Sequence, residues 1–239
     1  ELAAFHCVPD FRTEPESVLD FSLDGKENHV RIYLPCLTQV IIQSLTFHDA
    51  AVLKPVRREK IMLAFGDSIT QGYDSIHPSK RYGSLLADAL GAAEINKAIG
   101  GEVFFPGLAE LKEDLQPDYI TVAYGTNDWT GIAQDCFLAS AKAFYAALSA
   151  RYPRAKIFAI TPIWRKDLQK GTPFGNFLEV RERIAEAIEG LGNVQLIEGF
   201  DLVPHDENLF ADLRLHPRDE GFDFYAENLI RKIKACTEN

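Results

Sequence analysis

Four short stretches of this chain carry residue types that could act together in nucleophilic chemistry. Ser68 lies in Gly66-Asp67-Ser68-Ile69-Thr70, between an apolar run over 61–65 and the polar segment Gln71-Gly72-Tyr73-Asp74. A serine placed where a buried strand gives way to a turn can project its hydroxyl out of a packed sheet, and the preceding glycine lets the backbone bend. Asn96-Lys97-Ala98-Ile99-Gly100-Gly101 ends in paired glycines able to aim a backbone N–H at a ligand. Gly125-Thr126-Asn127-Asp128 sets a side-chain amide after a glycine. Such amides stabilise developing oxyanions. Asp212-Leu213-Arg214-Leu215-His216-Pro217 supplies an imidazole, suited to general-base work, with a carboxylate close in sequence. Taken singly, each stretch also reads as an ordinary turn, glycine pair, helix cap or surface histidine.

What could bring the four together is a parallel sheet. From residue 61, strand-like runs at 61–65, 93–95, 119–124, 156–160 and 194–197 alternate with helix-like runs at 82–90, 108–115, 136–150, 177–189 and 222–235. This alternation predicts right-handed crossovers and a parallel sheet covered on both faces, a three-layer α/β/α sandwich. Ligands of such sheets bind beyond the carboxyl ends of the strands. Three of the four stretches follow predicted strands directly, and the fourth precedes the final helix. The first 58 residues read differently. Period-two patterning and β-branched residues around 17–23, 29–34 and 40–47 predict a small all-β unit, joined by the charged, proline-containing segment 54–60. The expected domains are therefore 1–58 and 59–239.

Composition narrows the classes. A formal net charge of -10 disfavours nucleic acid and anionic membrane surfaces as partners. No run approaches the ~18 apolar residues that cross a bilayer. Cys7, Cys36, Cys136 and Cys236 are scattered, without metal-ligand spacing, and read as free thiols of a reducing, cytoplasmic compartment. A Cys7–Cys36 bridge and a secreted location after signal removal are the alternatives. Homo-oligomerisation is compatible with the sequence.

In these motifs the chain resembles the SGNH hydrolases, also called GDSL-type esterases and lipases, over residues 61 to about 235. The resemblance implies a flavodoxin-like sheet and a cofactor-free, metal-free esterase working through an acyl-enzyme. It implies Ser68 as nucleophile and His216 as base. The N–H groups of Ser68 and Gly101 and the amide of Asn127 would form the oxyanion hole. The second block departs from the family, with Ala98 where glycine is common and Gly100 where serine is common. A larger departure concerns the acid. The family places it three residues before the histidine, where this chain has Leu213; Asp212 lies four before. An extended chain would separate Asp212 from His216 by roughly 13 Å, at ~3.3 Å per residue. Asp212 therefore completes a triad only if 213–215 form a turn. Otherwise a backbone carbonyl orients His216, or Asp212 is a surface charge beside Arg214.

Other residues have two readings. Trp129 and Trp164, after the third and fourth strands, either flank the site as a wall for an acyl group or sugar, or fill the core. Tyr73 either lines the site or packs. Asp67, Arg165, His205, His6, His29 and His48 read as structural or surface residues. The expected function is hydrolysis of short-acyl, acetyl-type esters, including those of carbohydrates, by analogy with family members that carry a β-rich unit. No apolar lid segment suggests a long-chain lipase. The alternatives are an O-acyltransferase acting on sugars and a non-catalytic carbohydrate-binding or interaction protein.

Overall fold

β1 (Lys60–Gly66) is apolar on both faces, as a strand flanked on both edges and covered by helices must be. Met62, Leu63 and Ala64 have no exposed surface. In the computed structural model, which describes residues 18, 20–35 and 40–237, β1 pairs with β2 (Ala92–Asn96) and β3 (Tyr119–Ala123). β4 (Lys156–Ile160) and β5 (Val194–Ile197) complete the sheet. All pairs are parallel, in the order β2-β1-β3-β4-β5. The order reverses between β1 and β3, which opens a crevice at their carboxyl ends.

The alternation of side chains along each strand sends neighbours to opposite cores. Leu63, Phe65, Ile120, Val122, Ile157 and Ala159 pack under α3 (Pro106–Glu110), α5 (Gln134–Arg151) and α6 (Glu179–Ala187). Met62, Phe158, Ile160 and Ile197 pack on the other face under α2 (Tyr82–Ala89) and α7 (Asp219–Thr237). Two one-turn helices, α1 (Ser68–Gln71) and α4 (Thr126–Gly131), begin at the ends of β1 and β3. Both lie where the sequence pattern predicts loops, because a single turn carries no 3.6-residue periodicity.

The helix expected over 108–115 is shorter and starts earlier, at Pro106. It stops at Leu111, which turns to φ -55° and ψ 123°. Arg151 fixes this exit by donating to the carbonyls of Glu110 at 3.3 Å and Glu113 at 2.9 Å.

The all-β unit expected over 1–58 is not present among the described residues, where no strand forms before Lys60. The apolar side chains of that alternation are exposed, Ile41 at 81% and Val52 at 84%. Alternating segments become strands only when their edges are paired and their apolar face is covered. Neither condition is met there. Polar contacts hold the segment to the sheet domain: Arg31 and Arg58 both pair with Asp88 of α2, at 2.6 and 2.9 Å. Cys136 and Cys236 are free thiols; Cys7 and Cys36, and so the bridge considered between them, lie outside the described residues. No helix among the described residues is long and apolar enough to cross a membrane.

Candidate active site

Ser68 is the first residue of α1. Asp67 caps this helix: its buried carboxylate accepts the Ile69 N–H at 2.9 Å. Gly66 permits the close junction, since a Cβ there would stand 2.1 Å from Thr70 Oγ1. Thr70 Oγ1 in turn hydrogen-bonds the buried Tyr82 hydroxyl at 2.7 Å, and its carbonyl accepts from Asn96 Nδ2 at 2.8 Å. The short helix is thus bolted to both flanking segments, and the Ser68 N–H, at its first position, has no carbonyl within the helix to bind.

His216 Nε2 lies 2.9 Å from Ser68 Oγ, and His216 Nδ1 lies 3.0 Å from Asp212 Oδ2. The turn that the triad requires exists. Leu213 takes the left-handed conformation at φ 55°. Asp212 Oδ1 accepts the backbone N–H groups of Arg214, Leu215 and His216 at 3.0, 2.7 and 3.1 Å. One carboxylate therefore folds its own loop with one oxygen and meets the imidazole with the other. Burial would raise this carboxyl, but the three N–H groups and the imidazole outweigh it and hold it below the usual carboxylate value.

The 100–101 turn, expected to carry one oxyanion donor, adjoins Ser68, and Asn127 bonds the residue that follows it. A Cβ on Gly100 would lie 3.7 Å from Ser68 Cβ, so the 100–101 turn borders the nucleophile. Gln71 of α1 secures that turn by accepting the Gly100 N–H at 2.8 Å. Gly101 follows with φ 81°, a conformation suited to glycine. Asn127 donates one amide hydrogen to the Glu102 carbonyl at 3.0 Å, which brings its NH₂ beside the same turn.

Asp128 joins the two segments expected to carry oxyanion donors. It is fully buried, with Oδ1 accepting from Phe104 N at 3.1 Å and Oδ2 from Gly125 N at 3.0 Å. Burial pushes it up to about 6 despite these bonds. Asp67 is pushed up to about 7, mainly by burial; the Ile69 N–H opposes that and the Asp128 charge adds to it. Phe104 anchors the far side by packing edge-on against Phe137 and Phe144.

Arg165 supports α4 from below. It is 2% exposed and donates to Thr126 O and Oγ1 at 3.1 and 3.2 Å. It pairs with Asp167 at 2.6 Å, and Asp167 continues to Arg214 at 3.3 Å on the acid turn. Its guanidinium also stacks 4.7 Å from the Trp129 ring.

Trp129 does not line the site. It lies in α4 with no exposed surface and donates its indole N–H to Gly175 O at 2.8 Å. As the fourth residue of this short helix it points into the core, so the wall reading fails for it. Trp164 is half-buried, stacks on His205 at 5.5 Å and meets Phe210 at a tilt at 5.4 Å. Tyr73, whose role the sequence left open, lies with its ring 4.8 Å from the His216 ring and is 42% exposed. Two neighbours of the site were missed. Asp74 Oδ2 comes within 3.8 Å of His216 Nδ1, and Gln71 holds the 100–101 turn. Both stand immediately after the serine block, the only signal the sequence offers for them.

No curated protein matches the chain significantly. Among solved structures it is similar to the salicylyl-acyltransferase of a tetracycline biosynthetic pathway, at 22% identity and a TM-score of 0.67 over 77% of this chain and 56% of that one. It is similar to a family two carbohydrate esterase from Clostridium thermocellum solved with cellohexaose, at 20% identity and 0.62 over 78% and 67%. It is also similar to an acetyl xylan esterase from the rumen bacterium Butyrivibrio proteoclasticus, at 18% identity and 0.62 over 80% and 67%. At these identities the likeness is one of fold, and the chain spans about half to two thirds of each relative's length. The GDSL-like lipase/acylhydrolase family matches residues 64–224, more than half of the chain and all four blocks. With its serine, glycine, asparagine and histidine blocks gathered at one sheet edge, the chain belongs to the GDSL-like lipase/acylhydrolase family, a family of ester hydrolases.

Proposed function

We propose that this protein hydrolyses short-acyl esters, acetyl esters of carbohydrates foremost, with Ser68, His216 and Asp212 as its triad. The observation that carries this reading is the unbroken line Ser68 Oγ–His216 Nε2 (2.9 Å) and His216 Nδ1–Asp212 Oδ2 (3.0 Å). As the Ser68 oxygen attacks the ester carbonyl, Nε2 takes its proton, and the Asp212 carboxylate balances the charge of the imidazolium. The tetrahedral oxyanion sits against the N–H groups of Ser68 and Gly101 and the Asn127 amide. His216 then protonates the departing alcohol, leaving an acyl-enzyme. In the second half His216 takes a proton from water, which attacks the acyl carbon and frees Ser68.

The preference for carbohydrate acetates rests on the likeness to the carbohydrate esterase and the acetyl xylan esterase. The test compares acetyl, butyryl and octanoyl p-nitrophenyl esters with acetylated xylan, for wild type and Ser68→Ala. Activity on acetyl substrates that disappears in Ser68→Ala is expected. Equal rates for both proteins would sink the esterase reading, and a preference for octanoyl esters would sink the short-acyl one. A second reading, transfer of the acyl group to a sugar hydroxyl, is favoured by the likeness to the acyltransferase. Under it, added acceptor sugars would appear acylated at the expense of free acid. The intact serine-to-carboxylate line weighs against a non-catalytic binding role.

A further inference from the structure

His216 meets two carboxylates at the same nitrogen. Asp212 Oδ2 approaches Nδ1 at 3.0 Å from its own loop, and Asp74 Oδ2 approaches it at 3.8 Å from the segment after α1. The other groups facing the imidazole are Ser68 on Nε2 and the Tyr73 ring on its face. Arg214 lies beyond Asp212, with Nη2 3.8 Å from Asp212 Oδ2 and Nη1 3.3 Å from Asp167 Oδ2.

The placement of Asp74 is built into the fold. Its backbone is left-handed, φ 67°, two residues after the left-handed Gly72 that ends α1. The next three residues are all held by one side chain. Asp219 Oδ1 accepts from Ser75 Oγ, Ile76 N and His77 N at 2.9, 3.0 and 3.4 Å, and Asp219 Oδ2 meets His77 Nδ1 at 2.5 Å. Asp219 opens α7, three residues after His216. Both ends of the Asp74–His216 contact are therefore fastened to one peg. Burial and the Asp212 charge raise the Asp74 carboxyl, while attraction to His216 opposes them.

Building on the Ser68–His216 reading, we infer that Asp74 is a second acid partner of His216, a positioning residue that shares Nδ1 with Asp212. When Nε2 takes the Ser68 proton, Asp74 places a further negative charge about one ion-pair distance from the new cation, an arrangement that favours the charged ring. When Asp212 is removed, Asp74 is the carboxylate left to accept the Nδ1 hydrogen and keep the tautomer that leaves Nε2 free to act as base. The shift of the primary acid to four residues before the histidine is thereby backed by a carboxylate from another loop.

The test measures kcat/KM against pH on p-nitrophenyl acetate for wild type, Asp74→Asn, Asp212→Asn and the double variant, with Ser68→Ala alongside and the fold of each checked by thermal melting. Asparagine tolerates the left-handed backbone at position 74, so the substitution removes charge without reshaping the turn. Two results are expected. Asp74→Asn costs at least about fivefold more in the Asp212→Asn background than in wild type. The acid limb of the wild-type profile moves to lower pH by about half a unit in Asp74→Asn. Equal costs in the two backgrounds with an unmoved acid limb overturn the inference while leaving the Ser68 reading intact. A Ser68→Ala protein as active as wild type overturns both.

Discussion

Asp212 reaches His216 across four residues because Leu213, between them, adopts φ 55°. That left-handed step costs an L-residue about 1–2 kcal/mol and is offset by the three N–H groups that converge on Asp212 Oδ1. Leu213→Gly should therefore keep full activity and change stability little, as relief of strain offsets added chain entropy. Leu213→Val should lose on the order of 1–2 kcal/mol and lower kcat, because a β-branched residue resists this backbone. Melting temperature and kcat, measured together, check both; a fully stable and active Leu213→Val would contradict the turn's role.

Asn127→Ala tests the oxyanion assignment. A loss of about 10²–10³ in kcat is expected, with KM little changed, since the donor acts on charge that develops in the transition state. A change confined to KM would place Asn127 in ground-state binding instead.

The buried carboxyls give the protein a distinctive pH response. Asp67 is pushed up to about 7 and Asp128 to about 6, each chiefly by burial, against about 3.9 in an unfolded chain. A raised carboxyl binds its proton more tightly when folded. Its stabilising contribution is complete below about pH 4 and is lost as pH rises through 6 to 7. Asp212 and Asp219 have the opposite sign, because both are held low and lose their contribution as pH falls through their folded values. The difference between variants isolates the effect. Asp67→Asn keeps an oxygen for the Ile69 N–H, so its melting temperature should gain on wild type between pH 5 and pH 8, on the order of 5 °C. A constant offset across that range would refute the assignment.

Arg165 carries weight out of proportion to its exposure. Replacing it with alanine leaves the buried Thr126 carbonyl without this donor and Asp167 with Arg214 alone, and should cost about 1–3 kcal/mol. Arg165→Lys should recover little, because an ammonium cannot serve Thr126 and Asp167 in one plane. Chemical denaturation measures the first loss, and a kcat that falls in parallel would reflect displacement of Asn127 on α4.

Much of this was legible in the residues themselves. β4 and β5 begin and end where the apolar runs do, because each run is bounded by polar or breaking residues. The four blocks were readable because chemistry restricts residue type. What stayed hidden depended on long-range geometry. Trp129 looks the same in sequence whether it faces a ligand or the core. The contact of Asp74 with His216 needs two turns and a peg on a third element. The alternation before residue 58 predicts strands, and the pairing that would form them is missing among the described residues. The turn at Leu213 lay between these cases: the spacing said one was required, and only the folded loop shows how it is made.

The Asp128 bridge between Phe104 and Gly125 carries one more consequence. Because a buried carboxylate spaces the 104 and 125 segments from within, exposed residues such as Tyr73, Ile99 and Phe105 are free of that duty. Those exposed side chains can change without shifting the spacing that Asp128 sets.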